Sequence, residues 1–197
     1  MSKGEATREV ILEEAARLSR RIGLGGLTIG SLATQTGMSK SGLFAHFKSK
    51  KSLQLQVLEH GRERFIDSVV RPALAASRGL TRVRTLFDQW LTWSGGELNG
   101  GCLFVAAAVE LDDQEGPVRE ALVRSERDWL ETIATVAATA VAEGEFREDL
   151  DTDQFAFELH GVMLTHHHAS RLLRDPRSPE RTRRAFESLI AAASRPT

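Results

Sequence analysis

At 197 residues the chain is long enough for one large domain or two small ones; its single cysteine, Cys102, excludes an intramolecular disulfide and fits a reducing cytoplasm. No apolar signal core opens the sequence and no stretch approaches the roughly 18 apolar residues of a membrane span, so neither secretion nor a membrane is expected. The net charge of −1 hides an asymmetry: the 44 residues between Glu14 and Glu59 contain no carboxylate and carry Arg17, Arg20, Arg21, Lys40, Lys48, Lys50 and Lys51, an unopposed +7 that points to a polyanion.

The whole chain reads as helix, rich in Ala, Leu, Arg and Glu and without alternating β-branched runs. A first helix over about 7–22 puts Val10, Ile11, Ala15, Leu18 and Ile22 on one stripe, with its arginines near the C-terminal end of the dipole; Gly23 ends it. Thr28 caps a short helix that turns Ile29, Leu32 and Ala33 inward and stops at Gly37. Ser39 caps another, with Leu43 and Phe47 facing the same small core. Ser49 opens a longer helix through Leu53, Val57, Phe65, Ile66 and Val69, which Pro72 disturbs or closes.

Beyond Gly79 a helix over about 81–97 carries Val83, Leu86, Phe87, Trp90, Leu91 and Trp93, and ends in a glycine-rich loop over 95–101. The apolar run 102–109 is expected to be buried on all sides. An acidic break precedes a long helix over about 118–143, with Leu122, Trp129, Ile133, Val136 and Ala140 on its stripe. Two further helices, over about 152–174 and 180–193, complete the chain.

Two short helices joined through Gly37 form a helix-turn-helix pattern, whose second helix fits the major groove of DNA. Ser39 at its start leaves backbone N–H groups for a phosphate, with Lys40 beside them, while Lys48 and Lys50 flank its exit. Ser41, Gly42 and Ala45 are small enough to let the helix lie close to base edges, so readout beyond grip falls to Lys40 or His46. No glycine-rich phosphate loop, nucleophile elbow or His-Glu-x-x-His motif is present, and the Glu110, Asp112, Asp113 cluster reads as solvated; an enzyme is not expected.

Residues 28–53, TIGSLATQTGMSKSGLFAHFKSKKSL, resemble the DNA-binding signature of TetR-family transcriptional regulators, a likeness that extends over about 6–60. The resemblance implies phosphate or base contact for Thr28, Ser39, Lys40, Ser41, Phe44, His46 and Lys50, to which the charge pattern adds Lys48. Phe44 stands where the family often has a tyrosine whose hydroxyl bonds a phosphate, and Ala45 where a larger ring is frequent. The remainder matches in layout. The implied architecture is all-α, about nine helices, with a three-helix head at 1–50 joined by a long helix to a ligand-binding and dimerisation domain at 51–197.

The implied function is a ligand-responsive cytoplasmic repressor. It would bind a palindromic double-stranded operator as a homodimer, pair through 152–174 and 180–193, release DNA on binding a small-molecule effector, and need no cofactor. Trp90, Trp93, Cys102, Phe104, Trp129, His167 and His168 are candidate effector contacts, each weighed against a plain core role. The run His166-His167-His168, with His160 nearby, invites a metal reading; but successive helical residues point about 100° apart and cannot converge, and His160 and His167 supply only two ligands, so no metal site is assigned. A metal-responsive regulator and a helical interaction module without DNA stand as the alternatives.

Overall fold

The computed structural model describes residues 3–95 and 101–195, and the glycine-rich loop expected at 95–101 lies largely outside them. The described residues contain α1 (Lys3–Ile22), α2 (Ile29–Thr36), α3 (Lys40–Phe47), α4 (Lys50–Phe65, followed by a π-helical turn at Ile66–Val70 and a short α segment at Arg71–Ala75), α5 (Leu80–Gly95), α6 (Leu103–Leu111), α7 (Pro117–Ala142), α8 (Thr152–Arg171) and α9 (Ser178–Ala193). These are nine helices, counting α4 with its extension, and no strand occurs among the described residues. None of the described helices is long and apolar enough to cross a membrane.

The chain divides into two compact units, one built from residues 3–65 and 101–125 and the other from 66–95 and 126–195. In the first, Ile11, Ala15, Ala16 and Leu18 of α1 enter a core with Leu32, Leu43, Phe47, Leu53 and Val57. Ser19 is wholly buried among them because its hydroxyl donates to the Ala15 carbonyl at 2.8 Å. Val10 and Ile22, expected on the buried stripe, are instead 66% and 44% exposed. Val10 is one helical step, about 100°, round from Ile11, and Ile22 is the last residue before the chain leaves the helix at Gly23.

α6 joins the same core through Leu103, Phe104, Ala107 and Leu111, and Cys102 beside them is buried too. The expectation that 102–109 is covered on every side fails at Val109, which is 75% exposed: one short helix packed on one side cannot bury its far face. The N-terminal segment of the first unit ends at Phe65, where the α-helical pattern gives way to the π turn. Pro72 explains the wider turn, since it has no N–H to offer the Ser68 carbonyl and its ring crowds that oxygen.

The second unit is centred on Phe87 of α5 and Phe186 of α9, whose rings stack at 3.9 Å and 8°. Around the stack, Arg84 pairs with Glu187, and Arg183 donates to Asp88 at 2.6 Å. Asp151 caps α8 by accepting from the Asp153 and Gln154 N–H groups. α8 ends at Arg171, three residues short of the expected 174. There the chain reverses through Arg174 at φ 51, and the Asp175 N–H closes on the Ala169 carbonyl at 3.0 Å, a stop made without glycine.

Candidate nucleic-acid interface

The geometry of α2 and α3 follows from their caps. Thr28 and Ser31 form a reciprocal capping box at the start of α2, each side chain bonding the other's N–H at 2.9 Å, and Gly37 ends the helix in the left-handed conformation at φ 68. Ser39 caps α3 by accepting the Gly42 N–H at 3.1 Å, which leaves the N–H groups of Lys40 and Ser41 at the open first turn. Leu43 and Phe47 are fully buried, so the opposite face of α3 is fixed outward. That face carries Lys40, Ser41, Phe44, Ala45 and Lys48, all exposed, with Phe44 at 57%.

Lys40 and Thr28 lie together: a Cβ on Gly30 would stand 3.6 Å from Thr28 Oγ1 and 3.9 Å from Lys40 Cε. The N-terminus of α2 and the Lys40 ammonium thus share a small surface, an arrangement suited to a phosphate. His46 is half-buried, its ring 6.1 Å from that of Phe47 and tilted by 50°, so only part of the imidazole is available to a groove. Lys50 is engaged within the protein, where its Nζ donates to the Gly25 carbonyl at 2.5 Å; an ammonium has two further protons for a phosphate.

Arg17 is less free than its place in the acid-free span suggests, because Glu14 holds it at 2.6 Å. Burial lowers the pKa of Arg20, opposed by nearby Glu13, so this arginine too is drawn into the protein rather than presented to a partner. Lys48 has a feature that the sequence does not announce. Its φ of 61 and ψ of −37, with the Ser49 N–H on the Phe47 carbonyl at 2.7 Å, make it the centre of a γ-turn, a strained place for a residue with a Cβ. Lys48→Gly should therefore raise stability by roughly 1 kcal/mol while weakening DNA binding. Chemical denaturation and DNA titration of one preparation check this; a variant that loses stability would remove the strain argument.

The expected effector contacts fall in different cores. Cys102 and Phe104 belong to the core of the first unit, whereas Trp90, Trp93, Trp129, His167 and His168 belong to the second unit. Trp90 is buried and meets the His166 ring edge-on at 5.6 Å. His166, not among the expected contacts, is the buried member of the histidine run. His166 Nδ1 lies within hydrogen-bond reach of two hydroxyls, Thr182 Oγ1 at 2.9 Å and Ser178 Oγ at 3.1 Å. Burial holds the imidazoles of His160, His166 and His167 below their ordinary 6.5, and raises the Glu126 carboxyl, 3.7 Å from His160 Nε2, above 4.5. Among the described residues no three His, Cys, Asp or Glu side chains converge as a metal site would require.

Two family models match the chain. "Bacterial regulatory proteins, tetR family" covers residues 11–57, and "Tetracyclin repressor-like, C-terminal domain" covers residues 79–186. No curated protein matches. Among solved structures, a TetR-family regulator from Cytophaga hutchinsonii superposes with a TM-score of 0.86 at 19% identity, covering 100% of this chain and 99% of that one. A TetR regulator from Chloroflexus aurantiacus gives a TM-score of 0.84 at 26% identity, covering 97% and 96%. AibR, solved in complex with isovaleryl coenzyme A and operator DNA, gives 0.73 at 19% identity, covering 96% and 99%. The helix-turn-helix geometry and the two matched models make this chain a member of the TetR family of bacterial transcriptional regulators, DNA-binding proteins rather than enzymes.

Proposed function

We propose that the protein is a homodimeric repressor of a palindromic operator, released by a small-molecule effector in a cytoplasmic setting. The observation that carries this reading is the outward face of α3, where Lys40, Ser41, Phe44 and Lys48 stand exposed above a fully buried Leu43 and Phe47. Residues 1–50 are the DNA-binding head in this reading and 51–197 the effector and dimerisation body. Thr28, Ser39, Lys40, Lys48 and Lys50 grip phosphates, and Ser41, Phe44 and His46 meet the groove. Phe44 packs on sugar or on a thymine methyl where a tyrosine hydroxyl would have bonded a phosphate.

One recognition helix touches few base pairs, so two-fold symmetry is what makes a specific site, with half-sites about 34–36 Å apart or a multiple. The support for pairing is an apolar surface on and after α8, where Phe157, Leu164, Leu172 and Leu173 are exposed, beside small exposed Ala185, Ser188 and Ala192 on α9. AibR holds both an acyl-CoA and operator DNA, which supports the general scheme of an effector-responsive DNA binder. For the effector, Trp90, Trp93, Trp129, His167 and His168 of the second unit are the side chains assigned. By linkage, an effector that weakens operator binding must itself be bound more weakly in the presence of DNA, by the same factor.

Lys40→Ala tests the head. Affinity should fall on operator and random duplex alike, and the slope of log affinity against log salt should shrink by about two per dimer, one for each lost phosphate contact. Fluorescence anisotropy across a salt series reads both quantities, and an unchanged slope would take Lys40 off the phosphate list.

A further inference from the structure

α6 lies in the stretch matched by the C-terminal family model, yet it packs in the compact unit that holds α1 to α3. Its residue Glu110 reaches the loop between α1 and α2, where a carboxylate oxygen accepts the Gly25 N–H at 2.7 Å. The approach is close enough that a Cβ on Gly23 would meet Glu110 Oε1 at 2.2 Å and displace that carboxylate, while the φ of 79 favours glycine there on backbone grounds. The carbonyls of the same loop are held from α4: Lys50 Nζ donates to Gly25 O at 2.5 Å, and Gln54 Nε2 donates to Leu24 O at 2.7 Å. Three residues after Gly25 comes Thr28, the cap of α2.

We propose that Glu110 is a positioning residue for DNA binding, a latch through which α6 sets the loop that places α2 and, through it, the surface shared by Thr28 and Lys40. The acid-free span receives a carboxylate from 85 residues away, and it receives it on a backbone N–H rather than on a basic side chain. A charge-assisted bond to a backbone N–H is strong and directional, which suits a part that must transmit position rather than add bulk stability. Any shift of α6 that withdraws the carboxylate releases the N–H side of the loop, while Lys50 and Gln54 still hold its carbonyls. Glu110 touches no DNA and acts only through the loop. The proposal rests on the repressor reading above.

The test uses the full-length protein, a labelled duplex selected from a random pool by the wild type, and amide hydrogen exchange at Gly25. Glu110→Ala should speed exchange at Gly25 relative to the slowest core amides and lower operator affinity by about ten-fold, while Glu110→Gln, which keeps an acceptor oxygen, should retain most of both. Gly23→Ala should mimic the loss, and its effect should shrink in the Glu110→Ala background because the collision is gone. Equal affinity for wild type and Glu110→Ala, or unaltered exchange at Gly25, overturns the latch. Equal losses in the alanine and glutamine variants, in step with a fall in global stability, overturn it in favour of simple fold support. Failure of the wild type to select any duplex is a separate result, and it overturns the repressor reading instead.

Discussion

Phe157→Glu combined with Leu164→Glu should yield a folded monomer that no longer binds its operator. The two side chains are 70% and 41% exposed in the single chain, so replacing them leaves the core of α8, built on Phe155, Leu159 and Met163, untouched. In an isologous interface each appears twice, and burying the part of each that is still exposed is worth roughly 1 kcal/mol per side chain, or ~4 kcal/mol for the dimer. That is about a 10³-fold loss of dimerisation, before counting the cost of bringing four carboxylates together. Operator binding falls with it, because a lone head grips one half-site. Sedimentation velocity and operator anisotropy measure the two effects, and circular dichroism checks the fold. A dimer that survives both charges would place the pairing surface elsewhere on the molecule.

How far the sequence could be read depends on how local each interaction is. Thr28, Ser39 and Gly37 announced themselves because a cap is formed within three residues and a left-handed stop needs glycine. Leu43 and Phe47 were legible as the inner face of α3 for a similar reason, since their spacing of four is one helical turn. Glu110 was not: it sat in an acidic run that reads as solvent-facing, and its partner lies 85 residues away. The glycines at 23, 25 and 26 were the available hint, because a loop so free of side chains permits a close approach. Val109 and Val10 misled because an apolar residue on a helix does not say whether anything covers it.

The charge pattern was legible in total but not in use. Of the seven bases in the acid-free span, Arg17 is paired with Glu14, Arg20 is drawn inward beside Glu13, and Lys50 is tied to the loop carbonyl. Arg21 and Lys51 are exposed outside α3, and Lys40 and Lys48 stand exposed at its two ends. Between them the exposed residues are Ser41, Phe44 and Ala45, which offer one hydroxyl and an apolar ring to the bases. In the proposed reading, binding strength and its salt dependence come chiefly from the ends of the recognition helix, and discrimination from few groups in its middle.

Phe47→Ala should abolish operator binding by a different route, through the fold of the head. The ring is fully buried in the core shared by α1, α3, α4 and α6, and truncating such a phenylalanine costs about 3–5 kcal/mol, a large part of the stability of a small unit. All three tryptophans, Trp90, Trp93 and Trp129, belong to the other compact unit, so their fluorescence reports on that unit alone while far-ultraviolet circular dichroism reports on every helix. In the variant, the dichroism melt should gain an early transition that tryptophan fluorescence does not see, and the operator titration should be flat. Phe44→Ala is the companion measurement: three residues away but 57% exposed, it should change stability by less than about 0.5 kcal/mol and still weaken binding. If Phe47→Ala keeps wild-type affinity, the buried face of α3 does not set the position of its outer face, and the recognition surface must be ordered by DNA itself.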